Sequence, residues 1–268
     1  MRDTCFAFFA QNKTAAFCQF GVSGRDESCS QRFFGGAIAL ALYAIGDLHL
    51  SLGSDKPMDV FGGGWNNYVD KIESGFSILE SDDVCVLCGD SSWGITFKES
   101  LEDFKFIDHL PGKKIILKGN HDYWWTTVAK MTAFFVDNGI SSIDILNNNC
   151  FFYEDAAICG TRGWMMEEED DAEHNAKIMA RETARLRASL LAAGEVERKL
   201  CFLHYPPRYN NTVCEDIVGV MDEYGVKNCW YGHVHGAGHR FCVRGEVDGI
   251  TYEMVSADFV GFVPQRIM

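Results

Sequence analysis

Five short polar clusters hold the residues of this chain that could do chemistry: Gly46-Asp47-Leu48-His49, Gly89-Asp90, Gly119-Asn120-His121-Asp122, His204-Tyr205-Pro206 and Gly232-His233-Val234-His235. Together they supply Asp, Asn and His side chains in the number and type that a two-metal hydrolytic centre needs. A carboxylate such as Asp90 has two oxygens and can bridge two cations, which an imidazole cannot. Asn120 offers a neutral carbonyl oxygen, a hard ligand that adds no charge. His204, His233 and His235 add nitrogen donors, and the mixed oxygen and nitrogen set suits Mn, Fe or Zn better than Ca or Mg. Asp47 and His49 stand two apart on an extended end, where side chains point the same way, so both are expected to reach one ion. His233 and His235 share a face as well, and ~6.5 Å along a strand lets each serve a different ion. Taken singly, Gly-Asp after a strand is a common turn and Gly-Asn-His-Asp is ordinary turn chemistry. Chance needs five independent accidents in one chain, whereas a metal centre needs one cause.

These clusters must be positioned, and each follows an apolar run. Residues 38–45 read as a strand ending in Gly46-Asp47. A helix is expected over 66–80, a strand over 84–88 ending in Gly89-Asp90, a helix over 97–110, and a strand over 114–118 that runs into Gly119-Asn120. This alternation predicts an α/β sheet, and ligands of open α/β sheets gather beyond the carboxyl ends of the strands. Further on, 143–146, 151–153 and 157–159 read as a short meander. A long helix is expected over 167–193, with an acidic, solvated start (Glu167 to Asp171) and a basic end (Arg181, Arg185, Arg187) that suit the helix dipole. Strands at 200–203 and 229–231 deliver the last two histidine clusters, and 252–257 reads as a closing strand.

Composition narrows the classes. The chain has 268 residues, 47% hydrophobic and 23% charged, which suits a globular protein. No stretch approaches ~18 consecutive apolar residues, so no membrane-spanning helix is expected. The formal charge of -14 opposes a nucleic-acid partner, since such binding neutralises phosphates with Lys and Arg. It leaves room for a small phosphorylated substrate, because bound cations invert the field locally. The 11 cysteines follow no framework spacing, which points to a reducing, cytoplasmic setting. Cys85 and Cys88 form a C-x-x-C inside a buried strand, where residues three apart face opposite sides, so core packing is the expected role. Residues 1–37 mix Phe with polar residues in no clear period and read as a poorly ordered extension. Asp3 and the Gln11-Asn12-Lys13 interruption argue against a signal peptide. The domain is expected over 38–268.

The ordered pattern D-x-H, G-D, G-N-H-[DE], H, G-H-x-H resembles that of the calcineurin-like metallophosphoesterases, from about residue 42 to about residue 258. The resemblance implies a four-layer α/β/β/α sandwich with a dinuclear centre between its sheets, as in the small bacterial-type phosphohydrolases. It implies that Asp47, His49 and His235 bind one ion, that Asp90 bridges, and that Asn120, His204 and His233 bind the other. It also implies hydrolysis of phosphate mono- or diesters by a metal-bridging hydroxide. Asn120 would help hold the phosphoryl oxygens, and His121 would stabilise charge or protonate the leaving oxygen, oriented by Asp122.

The chain departs from the phosphoprotein phosphatases of that family, which read G-D-x-x-D-R-G after the second strand. Here the run is Gly89-Asp90-Ser91-Ser92-Trp93-Gly94, so that Asp and Arg are absent. Arg162 is a candidate phosphate contact in their place. Tyr123 and Trp124 are candidate substrate contacts that could stack on a base or aromatic leaving group, with packing as the alternative; Trp65 and Tyr205 share that ambiguity. His239, His109 and His174 read as structural or solvated. The competing functional reading is a catalytically silent scaffold of the same fold, which retention of Asn120, His121 and every ligand disfavours. A nuclease of the same fold is opposed by the net charge and the lack of a basic patch. Nothing in the pattern sets an oligomeric state. Deletion of residues 1–36 is expected to leave folding and activity intact; a large loss of either, measured by thermal melting and turnover, would contradict the assignment of an extension.

Overall fold

A computed structural model describes residues 40–165 and 172–268. The expected extension over 1–37 and the acidic run at 167–171 lie outside the described residues. In chain order the elements are β1 (Leu42–Ile45), α1 (Tyr68–Phe76), β2 (Val84–Leu87), α2 (Phe97–His109), β3 (Lys113–Ile116), α3 (Val128–Asp137) and β4 (Ile143–Ile145). There follow β5 (Phe151–Tyr153), β6 (Ala156–Thr161), α4 (Ala172–Ala192), β7 (Arg198–Leu203), β8 (Arg208–Tyr209), β9 (Thr212–Val213) and α5 (Glu215–Glu223). The last are β10 (Asn228–Tyr231), β11 (Gly245–Val247), β12 (Ile250–Met254) and β13 (Gln265–Arg266).

The strands form two major sheets. One runs β13-β1-β2-β3-β4, parallel except for β13 at its edge. The other runs β11-β12-β10-β7-β6-β5, with a parallel centre and antiparallel strands at both edges. Parallel strands covered on both faces carry near-continuous apolar runs, and β1 and β2 are buried at every position. One face of the first sheet (Ile45, Cys85, Leu87, Ile116) packs on Ile72 and Phe76 of α1, Phe104 and Ile107 of α2 and Phe135 of α3. One face of the second (Cys159, Cys201, Leu203, Cys229) packs on Leu186 and Leu190 of α4 and Ile217 and Met221 of α5. Alternate residues such as Ala44, Val86, Ile115, Ile158, Leu200 and Phe202 are buried but belong to neither helix-facing cluster, so they fill the space between the sheets. The result is the α/β/β/α order of layers. Among the described residues, no helix is long and apolar enough to cross a membrane.

Two expectations change. The three short runs at 143–159 do not form a meander: β4 extends the first sheet beside β3, while β5 and β6 make a hairpin at the edge of the second. Apolar alternation is the same whether neighbouring runs pair with each other or go to different sheets. In addition, α3 and α5 lie outside the expected elements. Both are rich in Val, Ile or Phe, which rank low in intrinsic helix propensity. Burial of Met131 and Phe135 in one and of Val220 and Met221 in the other stabilises them instead. By contrast α2 begins where its signals place it, with Thr96 Oγ1 accepting from Glu99 N (3.3 Å) and Glu99 Oε2 accepting from Ile95 N (2.8 Å).

Helix α1 meets the segment before β13 at Gly75, where an added Cβ would overlap the carbonyl oxygen of Phe262. In an open helix Gly→Ala stabilises by about 1 kcal/mol. Here the backbone clash dominates, and Gly75→Ala is expected to destabilise by roughly 1–3 kcal/mol. A melting temperature at or above that of the wild type would show that the contact is looser than described.

Candidate metal centre

The polar clusters lie just past the carboxyl ends of β1, β2, β3, β7 and β10, not on them. Asp47, His49, Asp90 and His233 have φ of 60°, 47°, 52° and 74°. Non-glycine residues held in this left-handed region cost of order 1–3 kcal/mol each and persist only where their surroundings over-determine them. Asp47 and His49 therefore reach a common point through a strained turn, not through the side-chain alternation of an extended end. His233 likewise leaves the strand line, while His235 two residues on is extended, so these two histidines do not share one extended face either. Hydrogen bonding holds the turn in place: Asp47 N donates to Gly89 O and His49 N to Asp90 O, both at 2.9 Å. The glycines before the ligands permit this approach, since a Cβ on Gly119 would overlap the Asp90 carboxylate and one on Gly232 the Asp47 carboxylate.

The seven expected ligands do converge, in two groups. Donor atoms of Asp47, His49 and His235 lie within 4.8 Å of one another, as do those of Asp47, Asp90 and His204. In the first group His49 Nε2 is 3.2 Å from His235 Nε2, and His235 Nε2 is 3.7 Å from Asp47 Oδ1. On the other side Asn120 Oδ1 lies 2.5 Å from His204 Nε2 and 3.0 Å from His233 Nδ1. Asp90 Oδ2 stands between them, 3.7 Å from His49 Nε2 and 3.5 Å from His204 Nε2.

The electrostatics fit a cation. Asp47 and Asp90 are almost wholly buried, and burial pushes both carboxyls upward. Burial, then the neighbouring imidazoles, lowers His49, and burial is the main cause that holds His204 down at about 3 and His233 at about 2. These imidazoles are thus neutral, the form that ligates metal. Buried carboxylates that face one another's field, with neutral nitrogen lone pairs aimed at the same space, are stabilised in their charged form by a bound divalent ion. His235 differs: burial opposes its charge, but the carboxylates of Asp258, Asp47 and Asp90 carry its pKa upward.

The other expected site residues are placed as follows. His121 is half-buried, its N–H donates to Asp90 Oδ1 (2.8 Å), and its ring lies 5.7 Å from that of His49. Asp122 does not orient His121 by a hydrogen bond. It is fully buried, and its oxygens accept from the backbone N–H of Asp90 (2.9 Å), Ser91 (3.0 Å), Ser92 (3.4 Å) and Gly119 (2.7 Å) and from the Trp124 indole (3.0 Å). It clamps the β2 and β3 loops together. Trp124 is buried edge-on against Phe104, 4.6 Å between centroids, so it is a core residue and not a substrate contact. Arg162 pairs with buried Glu182 (3.2 Å), an ion pair that takes the place of the expected phosphate contact, while its carbonyl accepts from His204 N and Tyr205 N. Tyr123 is 56% exposed, with its hydroxyl 3.5 Å from His121 Nδ1.

Two site residues carry no mark in the sequence. Trp93 stacks on His49 at 4.9 Å and touches His121 at 4.2 Å. Asp258 accepts from His235 Nδ1 at 2.8 Å and lies 3.3 Å from His239 Nε2. Trp93 is visible there only as a departure after Gly89-Asp90, and Asp258 lies beyond the last motif. Trp65 edges onto His49 and His235, and Tyr205 packs on His233 at 4.2 Å, so both line the centre.

A family model described as calcineurin-like phosphoesterase matches residues 40–237. No curated protein matches the sequence. Among solved structures, the protein of unknown function AQ665 from Aquifex aeolicus is 15% identical, with 85% of this chain and 95% of that one covered and a TM-score of 0.46. TT1561 of Thermus thermophilus is 10% identical, with 73% and 82% covered and a TM-score of 0.42.

The clamp makes a stability prediction. Asp122→Ala strips a buried acceptor from five N–H groups, and each unsatisfied donor costs about 1–3 kcal/mol. The variant is expected to unfold at a clearly lower urea concentration, and an unchanged midpoint would remove the clamp role.

Proposed function

The chain belongs to the calcineurin-like phosphoesterase family, and we propose that it is a dinuclear metal-dependent hydrolase of phosphate mono- or diesters of small molecules. The observation that carries this reading is the position of Asp90 Oδ2, within 3.7 Å of a donor nitrogen of each group. One carboxylate shared by two donor sets would let Asp90 serve both ions of a two-metal hydrolase. Bound Mn, Fe or Zn supplies Lewis acidity, which polarises a phosphoryl oxygen and lowers the pKa of water toward neutrality.

The remaining steps belong to the chain's own residues. Asp47, His49 and His235 would hold one ion, and Asn120, His204 and His233 the other. Asn120 contributes its oxygen without adding charge, which keeps the centre net cationic toward an anionic ester. His121 fixes Asp90 through its backbone N–H, leaving Oδ2 for the ions, and its half-buried ring beside His49 is the group we assign to the leaving oxygen. Exposed Tyr123, next to that ring, is the proposed contact for the organic part of the substrate. A small ester is favoured over a phosphoprotein because Trp93 stacks on His49 from a segment with no phosphate-gripping Arg. The formal charge of -14 favours it over nucleic acid. The cysteine composition supports a cytoplasmic location.

The test is hydrolysis of an aryl phosphate and a bis-aryl phosphate with added Mn²⁺. Turnover is expected for at least one, and chelation should abolish it. Asp90→Asn should lower kcat/KM by on the order of a hundredfold or more. His121→Ala should lower kcat by about 10²–10⁴-fold while metal content is kept. If neither ester turns over and Asp90→Asn changes nothing, the protein is a silent scaffold of this fold.

A further inference from the structure

We propose that Asp258 is a positioning residue that sets the affinity of one of the two metal positions, acting through His235. The inference rests on the metal-centre reading above and extends it to a residue outside the motifs.

Asp258 Oδ1 accepts from His235 Nδ1 at 2.8 Å. A proton held on Nδ1 leaves Nε2 as the bare nitrogen, and Nε2 is the atom that faces His49 Nε2 and Asp47 Oδ1. Asp258 Oδ2 accepts from Gly236 N at 3.0 Å and lies 3.3 Å from His239 Nε2, so both oxygens are held. The Asp258 side chain is only 7% exposed, which strengthens its field on the imidazole. The backbone around it is tied to the other sheet. Gly46 N donates to Val255 O at 2.7 Å and Ala257 N to Gly46 O at 3.0 Å. Asp47 and Asp258 thus ride on one junction, and the carboxylate that aims His235 cannot drift relative to the ligand His235 works with.

The other ligand histidines are served differently. His204 Nδ1 meets the backbone carbonyl of Cys88 at 3.0 Å, and His49 Nδ1 is buried with no hydrogen-bond partner among the described residues. A carboxylate fixes tautomer and ring orientation and raises ligand basicity. Its influence is therefore directed to the position formed by Asp47, His49 and His235, and not to the position formed by Asn120, His204 and His233.

The experiment is calorimetric titration of the chelator-stripped full chain with Mn²⁺. The wild type should show two binding steps. Asp258→Ala should weaken one step by about 10–100-fold and leave the other unchanged. Asp258→Asn retains an oxygen that can accept from Nδ1–H but loses the charge, so its loss should be intermediate. Equal weakening of both steps, or none, overturns the positioning role while leaving the phosphoesterase reading intact. If Asp258→Ala does not fold, Asp258→Asn decides alone, and a wild-type-like titration of that variant rejects the proposal. A wild type that takes up no Mn²⁺ overturns both readings together.

Discussion

The organising constraint is the burial of two carboxylates, Asp47 and Asp90, in the space where the sheets meet. An ionised carboxylate taken out of water is costly unless paired or hydrogen-bonded. Their ion-pair neighbours among the described residues are imidazoles: His49, His204 and His235. Backbone N–H groups of His233 and His121 satisfy part of the need, donating to Asp47 and Asp90 respectively. The remaining demand for positive charge is what makes the cluster a candidate metal centre and not merely a polar core. Each feature around it either brings these oxygens together or keeps them from moving apart.

That convergence depends on backbone the chain would not adopt alone. Four of the proposed ligands sit at positive φ, and their strain is held by neighbouring structure. Past its last strand residue β1 continues to bond with the tail of β2, Gly46 bridges across to Ser256 of the second sheet, and Asp122 gathers the loops after β2 and β3 onto one carboxylate. The bonds that stabilise the loops thus also hold the polar clusters together. A substitution that releases a loop would relax strain and move the polar clusters apart at once, and Asp122, bonded to N–H groups of both loops, is part of what holds them.

Around the ligands the walls are aromatic. Trp65 and Trp93 pack on His49, and Tyr205 packs on His233. Rings in contact with imidazoles limit their rotation and keep water away, which raises the strength of every charge interaction inside. Asp258 adds the complementary polar restraint on His235, whose side chain is 30% exposed where those of His49 and His204 are buried. The centre is rigid where the ligands are enclosed by both sheets and braced where one reaches toward solvent.

Most of this site could be read from residue types in order. Donor chemistry is a matter of which atoms a side chain carries, so Asp47, His49, Asp90, Asn120, His204, His233 and His235 could be named as proposed ligands from the sequence, and the α/β layering was legible in the alternation of apolar runs with helices. The roles of Asp122, Trp124 and Arg162 were not. Each has a side chain compatible with catalysis or packing, and the decision rests on what it meets: five N–H groups, the Phe104 ring and Glu182. Pairing was likewise hidden, since β4 and β5 are near neighbours in the chain yet join different sheets. Asp258 went unseen for the same reason, being 23 residues from His235 with no motif to link them. The donor atoms each side chain offers are thus read from the chain's order of residues. Partner, orientation and burial depend on contacts between segments distant in sequence, and only the folded arrangement of the two sheets determined them.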